Sequence, residues 1–447
     1  MKYLSLLALS LLTLTASAQT VLKQDASIKQ MVDEVSSKNI EAIVRKLVNF
    51  KTRHTLSDTV SKTEGVGAAR NWIKAEYERY AAESGGRMKV EFDAFIQPKG
   101  NRVDNPTPMK NVMAVLKGTD TADKRIYIVS GHYDSRVTDV MNVKSFAPGA
   151  VDDASGTAVS MELARVMAKR SFPATIIFMA VVGEEQGLYG STNVAKRAKA
   201  EGWQIDAMLN NDIVGNTYGM ETGLKDNRSV RVFSEGVPAG ETEKQAATRN
   251  SVGGENDSPA RELARYTKEI AERYVEQLDV KLIYRRDRYL RGGDHTPFSQ
   301  QGFTAVRITE MNEDFNRQHQ DIRKENGVDY GDLPDFADYD YTQKVGRMNL
   351  SVLANLVMAP PSPQNVVIQT SGLTNKTNLK WDAPKGKAPA GYYILMRETI
   401  SPYWEKKFFV TGTSAAIGYS KDNYLFAVQS VDAGGHESLP IFPKPGR

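Results

Sequence analysis

Apolar residues follow two different periods along this chain, and the switch between them organises it. Ile28, Met31, Val32 and Val35, then Ile40, Ile43, Val44, Leu47 and Val48, recur at helical spacing, which predicts two helices broken near Ser36-Ser37. A third helix is predicted from about Gly67 to Glu83, with Ala68, Trp72, Ile73, Tyr77 and Tyr80 on one face. Met88 to Ile96 alternates as a strand does, Asn111 to Lys117 is a second strand candidate, and Pro98 to Pro108 is the polar loop between them. From Ile126 onward apolar runs alternate with amphipathic stretches. Ile126 to Val129, Ala174 to Val182, Ala207 to Leu209, Lys281 to Tyr284 and Thr304 to Ile308 read as strands. Ser155 to Lys169, Gly187 to Ala200, Pro259 to Leu278 and Tyr341 to Met358 read as helices. Strand and helix in repeated alternation predict an α/β fold with a mostly parallel sheet and helices on both faces.

Two stretches break this rhythm. Residues 216–257 are polar and Gly-rich and read as an insertion over the edge or mouth of the sheet, with one short strand at Val230 to Phe233. Pro360-Pro361-Ser362-Pro363 marks a linker, residues 359–363, between a unit spanning 19–358 and a second at 364–443. In that second unit Val366 to Ile368, Asn378 to Trp381, Tyr392 to Met396, Lys407 to Val410 and Tyr424 to Val428 are short strands, as in a small all-β sandwich with Trp381 in its core.

Composition narrows the chemistry. The first 18 residues have the form of a signal peptide: Lys2, an apolar run from Leu4 to Leu14, and Ala16-Ser17-Ala18 before Gln19. The run is too short to span a bilayer and no later stretch approaches that length, so the expectation is an exported protein, periplasmic or extracellular, with no membrane span. With no cysteine in 447 residues, disulfides, thiolate catalysis and Cys-type zinc sites are excluded. A net charge of +4, without a basic stripe interleaved with aromatics, gives nucleic acid no footprint. Nothing in the pattern sets an oligomeric state.

The reactive residue types come directly after apolar runs. His132 and Asp134 follow the run ending at Val129, Asp152-Asp153 sit in a Gly-bounded loop before a helix, and Glu184-Glu185 follow Ala174 to Val182. Asp212 follows Asn210-Asn211, and His295 follows Gly292-Gly293-Asp294. In an open α/β sheet, ligands bind in the crevice beyond the carboxyl ends of the strands. Two acids at the end of a buried strand are costly unless something pairs with them. Imidazoles mixed with carboxylates suit zinc first, with manganese or cobalt after it. One aspartate shared between two ions would make a co-catalytic pair, about 3.5–4 Å apart, with one Glu left over to move protons. Asp134, two residues from His132, has the spacing of a carboxylate that orients a metal-binding imidazole.

Ser130-Gly131-His132-Tyr133-Asp134-Ser135, Pro148 to Gly156, Gly183-Glu184-Glu185-Gln186-Gly187-Leu188-Tyr189-Gly190-Ser191, Asn211-Asp212 and Gly293-Asp294-His295-Thr296-Pro297-Phe298 together resemble the M28 family of zinc peptidases, over roughly residues 30–358. The resemblance implies a phosphorylase/hydrolase-like α/β/α sandwich, two zinc ions per chain, and cleavage of peptide or protein N-termini by an aminopeptidase. It makes Asp152 the bridging ligand, with His132 and Asp212 completing one site and Glu185 and His295 the other. Glu184 becomes the general base, Asp134 the carboxylate behind His132, and Asp153 the support of the bridging residue, often through a cis peptide. His319 is expected in a loop that approaches substrate, while His54 and His436 are expected to have no chemical role. Residues 363–443 resemble a fibronectin type III module through Leu379-Lys380-Trp381, Gly391-Tyr392-Tyr393-Ile394 and Tyr424 to Val428. The rival functions are a glutaminyl cyclase of the same fold with one zinc, a carboxypeptidase that would use an arginine among Arg285, Arg286, Arg288 and Arg291, and a non-catalytic peptide-binding or adhesion protein.

Overall fold

A computed structural model of the chain describes residues 24–446; the signal-like segment 1–18 lies outside the described residues. The central sheet has eight strands: β1 (Met88–Gln97), β2 (Thr107–Leu116), β3 (Arg125–His132), β4 (Thr175–Val181), β5 (Gln204–Asn211), β6 (Ser229–Phe233), β7 (Asp279–Ile283) and β8 (Ala305–Glu310). Their order is β1-β2-β4-β3-β5-β8-β6-β7. The strands β4, β3, β5 and β8 run parallel to one another at the centre, while at one edge β2 is antiparallel to both β4 and β1.

Alternation is hidden in the sequence of the central strands because both faces of the sheet are covered. In β4, Ile176, Phe178 and Ala180 join the core under the helices Ala26–Asp33, Ser37–Val48, Gly65–Ala81, Ser155–Met167, Pro259–Tyr274 and Tyr339–Met358. Ile177, Met179 and Val181 point the other way, into the smaller core under Tyr189–Ala200 and Phe298. The result is the α/β/α sandwich with a largely parallel sheet. The helix starts obey local chemistry: Asp25 and Ser36 cap the first two helices through their side chains, and Ser258 with Pro259 opens Pro259–Tyr274.

The 216–257 segment is not simply laid over the sheet. Its strand β6 is part of the sheet, antiparallel to β8 and parallel to β7, and the helix Glu243–Val252, invisible as an apolar pattern, follows it. That helix has no buried residue, so nothing amphipathic marked it. Past β8, a hairpin of Arg323–Glu325 and Val328–Tyr330 extends a loop that turns back toward the sheet.

Beyond Met358 the chain forms two further sheets. One contains Ser414–Ile417, Thr377–Asp382, Gln364–Gln369 and Lys444–Gly446; the other Lys406–Val410, Gly391–Glu398 and Tyr424–Val431. Trp381 is buried between them, edge-on to Tyr392 with ring centroids 5.2 Å apart. This all-β unit docks on Pro259–Tyr274 through buried charge. Arg397 reaches Asp257 at 2.8 and 2.9 Å, Trp404 Nε1 donates to Glu262 at 2.9 Å, and Glu437 receives Arg273 at 3.0 Å and Lys407 at 2.7 Å.

Candidate metal centre

Three adjacent parallel strands deliver the reactive groups to one crevice. His132 is the last residue of β3, Glu184 and Glu185 open the short turn of helix after β4, and Asp212 follows β5. Asp152 and Asp153 arrive in the loop between β3 and the helix Ser155–Met167, joined by a cis peptide bond.

That loop is clamped from outside the motif. The buried Arg53 guanidinium donates to the carbonyls of Tyr133 (2.7 Å), Pro148 (2.6 Å) and Gly149 (2.8 Å). Asp332 accepts the backbone N–H groups of Val151 at 3.0 Å and Asp152 at 2.8 Å. The Asp153 carboxylate accepts the N–H groups of His132 (3.0 Å), Gly156 (3.0 Å) and Ile213 (3.1 Å), tying three loops together. A side chain at Gly156 would collide with that carboxylate and with the Asn211 carbonyl, so this position requires glycine. Directly after Asp212, Ile213 is held at φ 66°, a costly conformation for a β-branched residue of the kind concentrated at functional sites.

Asp152 stands between two groups of ligand atoms. His132 Nε2 lies 3.2 Å from Asp152 Oδ1 and 3.8 Å from Asp212 Oδ1. His319 Nε2 lies 2.8 Å from Asp152 Oδ2 and 3.1 Å from Glu185 Oε1. Within each trio the candidate ligand atoms all fall within 4.8 Å of one another. His132 Nδ1 faces the Asp134 carbonyl at 3.1 Å, which places its proton there and leaves Nε2 as a lone pair facing the two carboxylates. Thr55 Oγ1 and the Glu185 N–H hold the Asp134 side chain at 2.7 and 3.2 Å.

These atoms converge without satisfying one another. Glu185 Oε1 and His319 Nε2 are shut off from solvent and have no hydrogen-bond partner despite their proximity. Burial alone would lower the His319 pKa, yet Glu185 and Asp152 push it up to about 10. Burial would raise Asp152, and His319 and His132 instead hold it well below the usual carboxylate range. Carboxylates converging on two imidazoles in this way fit two cations sharing Asp152, each imidazole binding through Nε2 once that nitrogen has given up its proton. Glu184, partly open to the crevice, belongs to neither trio. Its removal from water pushes its carboxyl well up, opposed by His132 and reinforced by Asp212 and Glu185.

His295 does not take the expected place. It begins the short helix His295–Gln300, and its ring turns to the Arg286 carbonyl, 2.9 Å from Nε2, and to Asp287, 3.7 Å away. Burial holds it down to about 4, a neutral imidazole outside both trios. His319, expected only to approach substrate, stands there instead, brought back by the loop after β8. Three further residues carried no motif signal: Arg136, 3.0 Å from Glu185 and 2.6 Å from His319 Nδ1; Arg307, 2.9 Å from Asp212; and Asp332. Arg136 was the most readable of them, since it follows the His132 to Ser135 block directly. His54 is buried against the Val140 carbonyl and Gln186, and His436 pairs with Asp432; neither belongs to a trio.

The crevice is a cleft of about 270 Å³ whose wall includes Asp152, Glu184, Glu185, Asp212, His319 and Arg291. Residues 111–349 match the sequence pattern of peptidase family M28. A protein of Leptosphaeria maculans named as a probable zinc metalloprotease is 49% identical over 423 residues, covering 94% of this chain and 98% of its own length. One of Pyrenophora tritici-repentis with the same description is 48% identical over 429 residues, covering 94% of this chain and 88% of its own. Among solved structures, the LapA aminopeptidase of Legionella pneumophila superposes with a TM-score of 0.53 at 19% identity, covering 80% of each chain. LapB of the same organism gives 0.52 at 16% identity, covering 75% of this chain and 76% of that one. At those identities the structures speak to fold, whereas the sequence match over the whole metal-binding region speaks to descent: this chain belongs to peptidase family M28.

Proposed function

We propose that this M28 zinc metallopeptidase is an exported aminopeptidase with two zinc ions per chain, removing the N-terminal residue of peptides. The observation that carries this reading is the sharing of Asp152 between the His132/Asp212 and Glu185/His319 groups. A single-zinc cyclase would not need the second trio, and a peptide-capture protein would need neither. The naming of the fungal relatives as zinc metalloproteases and of LapA as an aminopeptidase points the same way. Export rests on the Lys2 to Ala18 pattern.

His132, Asp152 and Asp212 would hold one ion, and Asp152, Glu185 and His319 the other. Bound there, zinc supplies Lewis acidity toward the scissile carbonyl and lowers the pKa of water. The residues do the rest. Glu184, on the wall of the cleft and outside both trios, takes the proton of the attacking water on its carboxylate and returns it to the leaving amine. The Asp134 backbone carbonyl keeps His132 in the tautomer that presents Nε2, and Thr55 holds the Asp134 carboxylate beside the ring, 3.6 Å from Nδ1. Arg136 and Arg307 fix the Glu185 and Asp212 carboxylates from behind. Zinc analysis combined with chromogenic aminoacyl substrates and N-blocked peptides tests the reading. Chelator-sensitive release of free N-terminal residues, with no action on blocked peptides, is expected; cyclisation of N-terminal Gln by a one-zinc protein would contradict it.

A further inference from the structure

The same cleft carries positive charge that the metal ligands do not use. Besides Arg136, its wall includes Arg102, Arg288 and Arg291. Arg136 is committed to Glu185 and His319, and Arg288 to Glu313 at 2.8 Å and Asp287 at 3.2 Å. Arg102 differs: among the described residues it bonds the Glu185 backbone carbonyl, at 2.8 Å, and no carboxylate. Arg291 comes no nearer than 3.9 Å to Glu313, which already receives Arg288 and Arg231, the latter at 2.7 Å. Both side chains belong to exposed residues at the cleft, where a guanidinium with no carboxylate at hydrogen-bonding distance keeps donors for an incoming one. The loop bearing Arg291 is itself basic: Arg285 lies over the Tyr289 ring at 3.8 Å with no acidic partner among the described residues, and Leu290 is fully exposed beside it.

We infer that Arg102 and Arg291 form a carboxylate-recognition site on the leaving-group side of the scissile bond, so that the preferred substrates are very short peptides ending in a free carboxylate. This rests on the aminopeptidase reading above and specifies its substrate class. A cleft of about 270 Å³ falls just below the usual range of ligand pockets, roughly 300–1,000 Å³. The metal-ligand carboxylates and both arginines line this one cleft, so a bound carboxylate must lie within a short peptide's length of the metal site. The acids suit the substrate's ammonium group, and the arginines suit its carboxylate. Leu188 and Ile213, also on the wall, give the intervening side chain an apolar surface.

Hydrolysis of Ala-Ala, Ala-Ala-amide and Ala-Asp-amide by the zinc-loaded full chain tests this. The expected result is a kcat/KM for Ala-Ala at least about tenfold above that for Ala-Ala-amide, expressed mostly in KM, and shrinking as salt is raised because the attraction is screened. A comparable gain for Ala-Asp-amide would assign the site to acidic side chains as well as chain ends; none would restrict it to the terminal carboxylate. In R102A and R291A the acid-to-amide ratio should fall toward one, and R291K should recover part of it. Equal rates for acid and amide in the wild type, or an unchanged ratio in both alanine variants, would overturn the site. Release of alanine from the amide reports on the aminopeptidase reading separately, and hydrolysis of acetyl-Ala-Ala would overturn that reading.

Discussion

Asp152 Oδ2 lies 2.8 Å from Nε2 of His319, a residue that comes from a loop beyond the last strand of the sheet. The other oxygen of the same carboxylate faces His132, at the end of β3. One aspartate thus joins a strand-end imidazole to a loop imidazole, and the two-ion reading depends on that bridge. Arg136, beside His319 and Glu185, ties the loop to the turn after β4.

Replacing Glu184 with Gln removes the proton carrier we propose while leaving both ligand trios intact. We expect unchanged metal content and a kcat lower by about 10²–10⁴-fold, the usual span for a general base. Steady-state kinetics with metal analysis on the same sample checks both halves.

Asp332 holds the bridging loop through the Val151 and Asp152 amides. In Asp332→Ala those buried donors lose their acceptor, at a cost of about 2 kcal/mol. Urea unfolding of the chelated protein should show the loss, and titration should show weaker metal binding, because Asp152 loses its support. A variant with wild-type stability and affinity would remove Asp332 from the account.

Much of this was legible in sequence, for a definable reason. Strand ends bearing His132, Glu184-Glu185 and Asp212 could be read because unbroken apolar runs mark buried parallel strands and the acids interrupt them. Family membership follows from the same blocks. His319 and His295 were exchanged because the Asp294-His295 dipeptide sits inside a recognisable block, whereas His319 lies in a polar loop whose return to the sheet is decided by tertiary contacts. Asp332, on the same loop, was hidden for the same reason. The helix Glu243–Val252 escaped notice because it buries nothing, so no periodicity was needed to form it.

Acid stability should report on Asp287. Burial would raise its carboxyl, but Arg307, His295 and Arg288 hold it down to about 2. A depressed folded-state pKa means the contribution is complete above the unfolded value of 3.8 and is lost as pH falls through about 2. The size is about 2 kcal/mol for a shift of roughly this extent. With chelator present throughout, the stability gap between wild type and Asp287→Asn should close between about pH 5 and pH 2. A gap that stays constant would show that the pairing contributes nothing.

At the interface of the two units, Arg397→Ala would leave Asp257 with only Arg265, 3.3 Å away. Breaking one partner of a buried pair costs about 3–5 kcal/mol. Thermal unfolding should therefore shift down by several degrees, or split into two transitions as the all-β unit loosens. A single unshifted transition would mean that the docking depends on other contacts.

The central claim is two ions sharing Asp152, with His319 and not His295 as the second imidazole. Zinc content per chain, measured for wild type, His319→Ala and His295→Ala after equilibration in the same free zinc, tests it most directly. The account predicts two, one and two. One ion in the wild type, or loss of an ion in His295→Ala with two retained in His319→Ala, would contradict it.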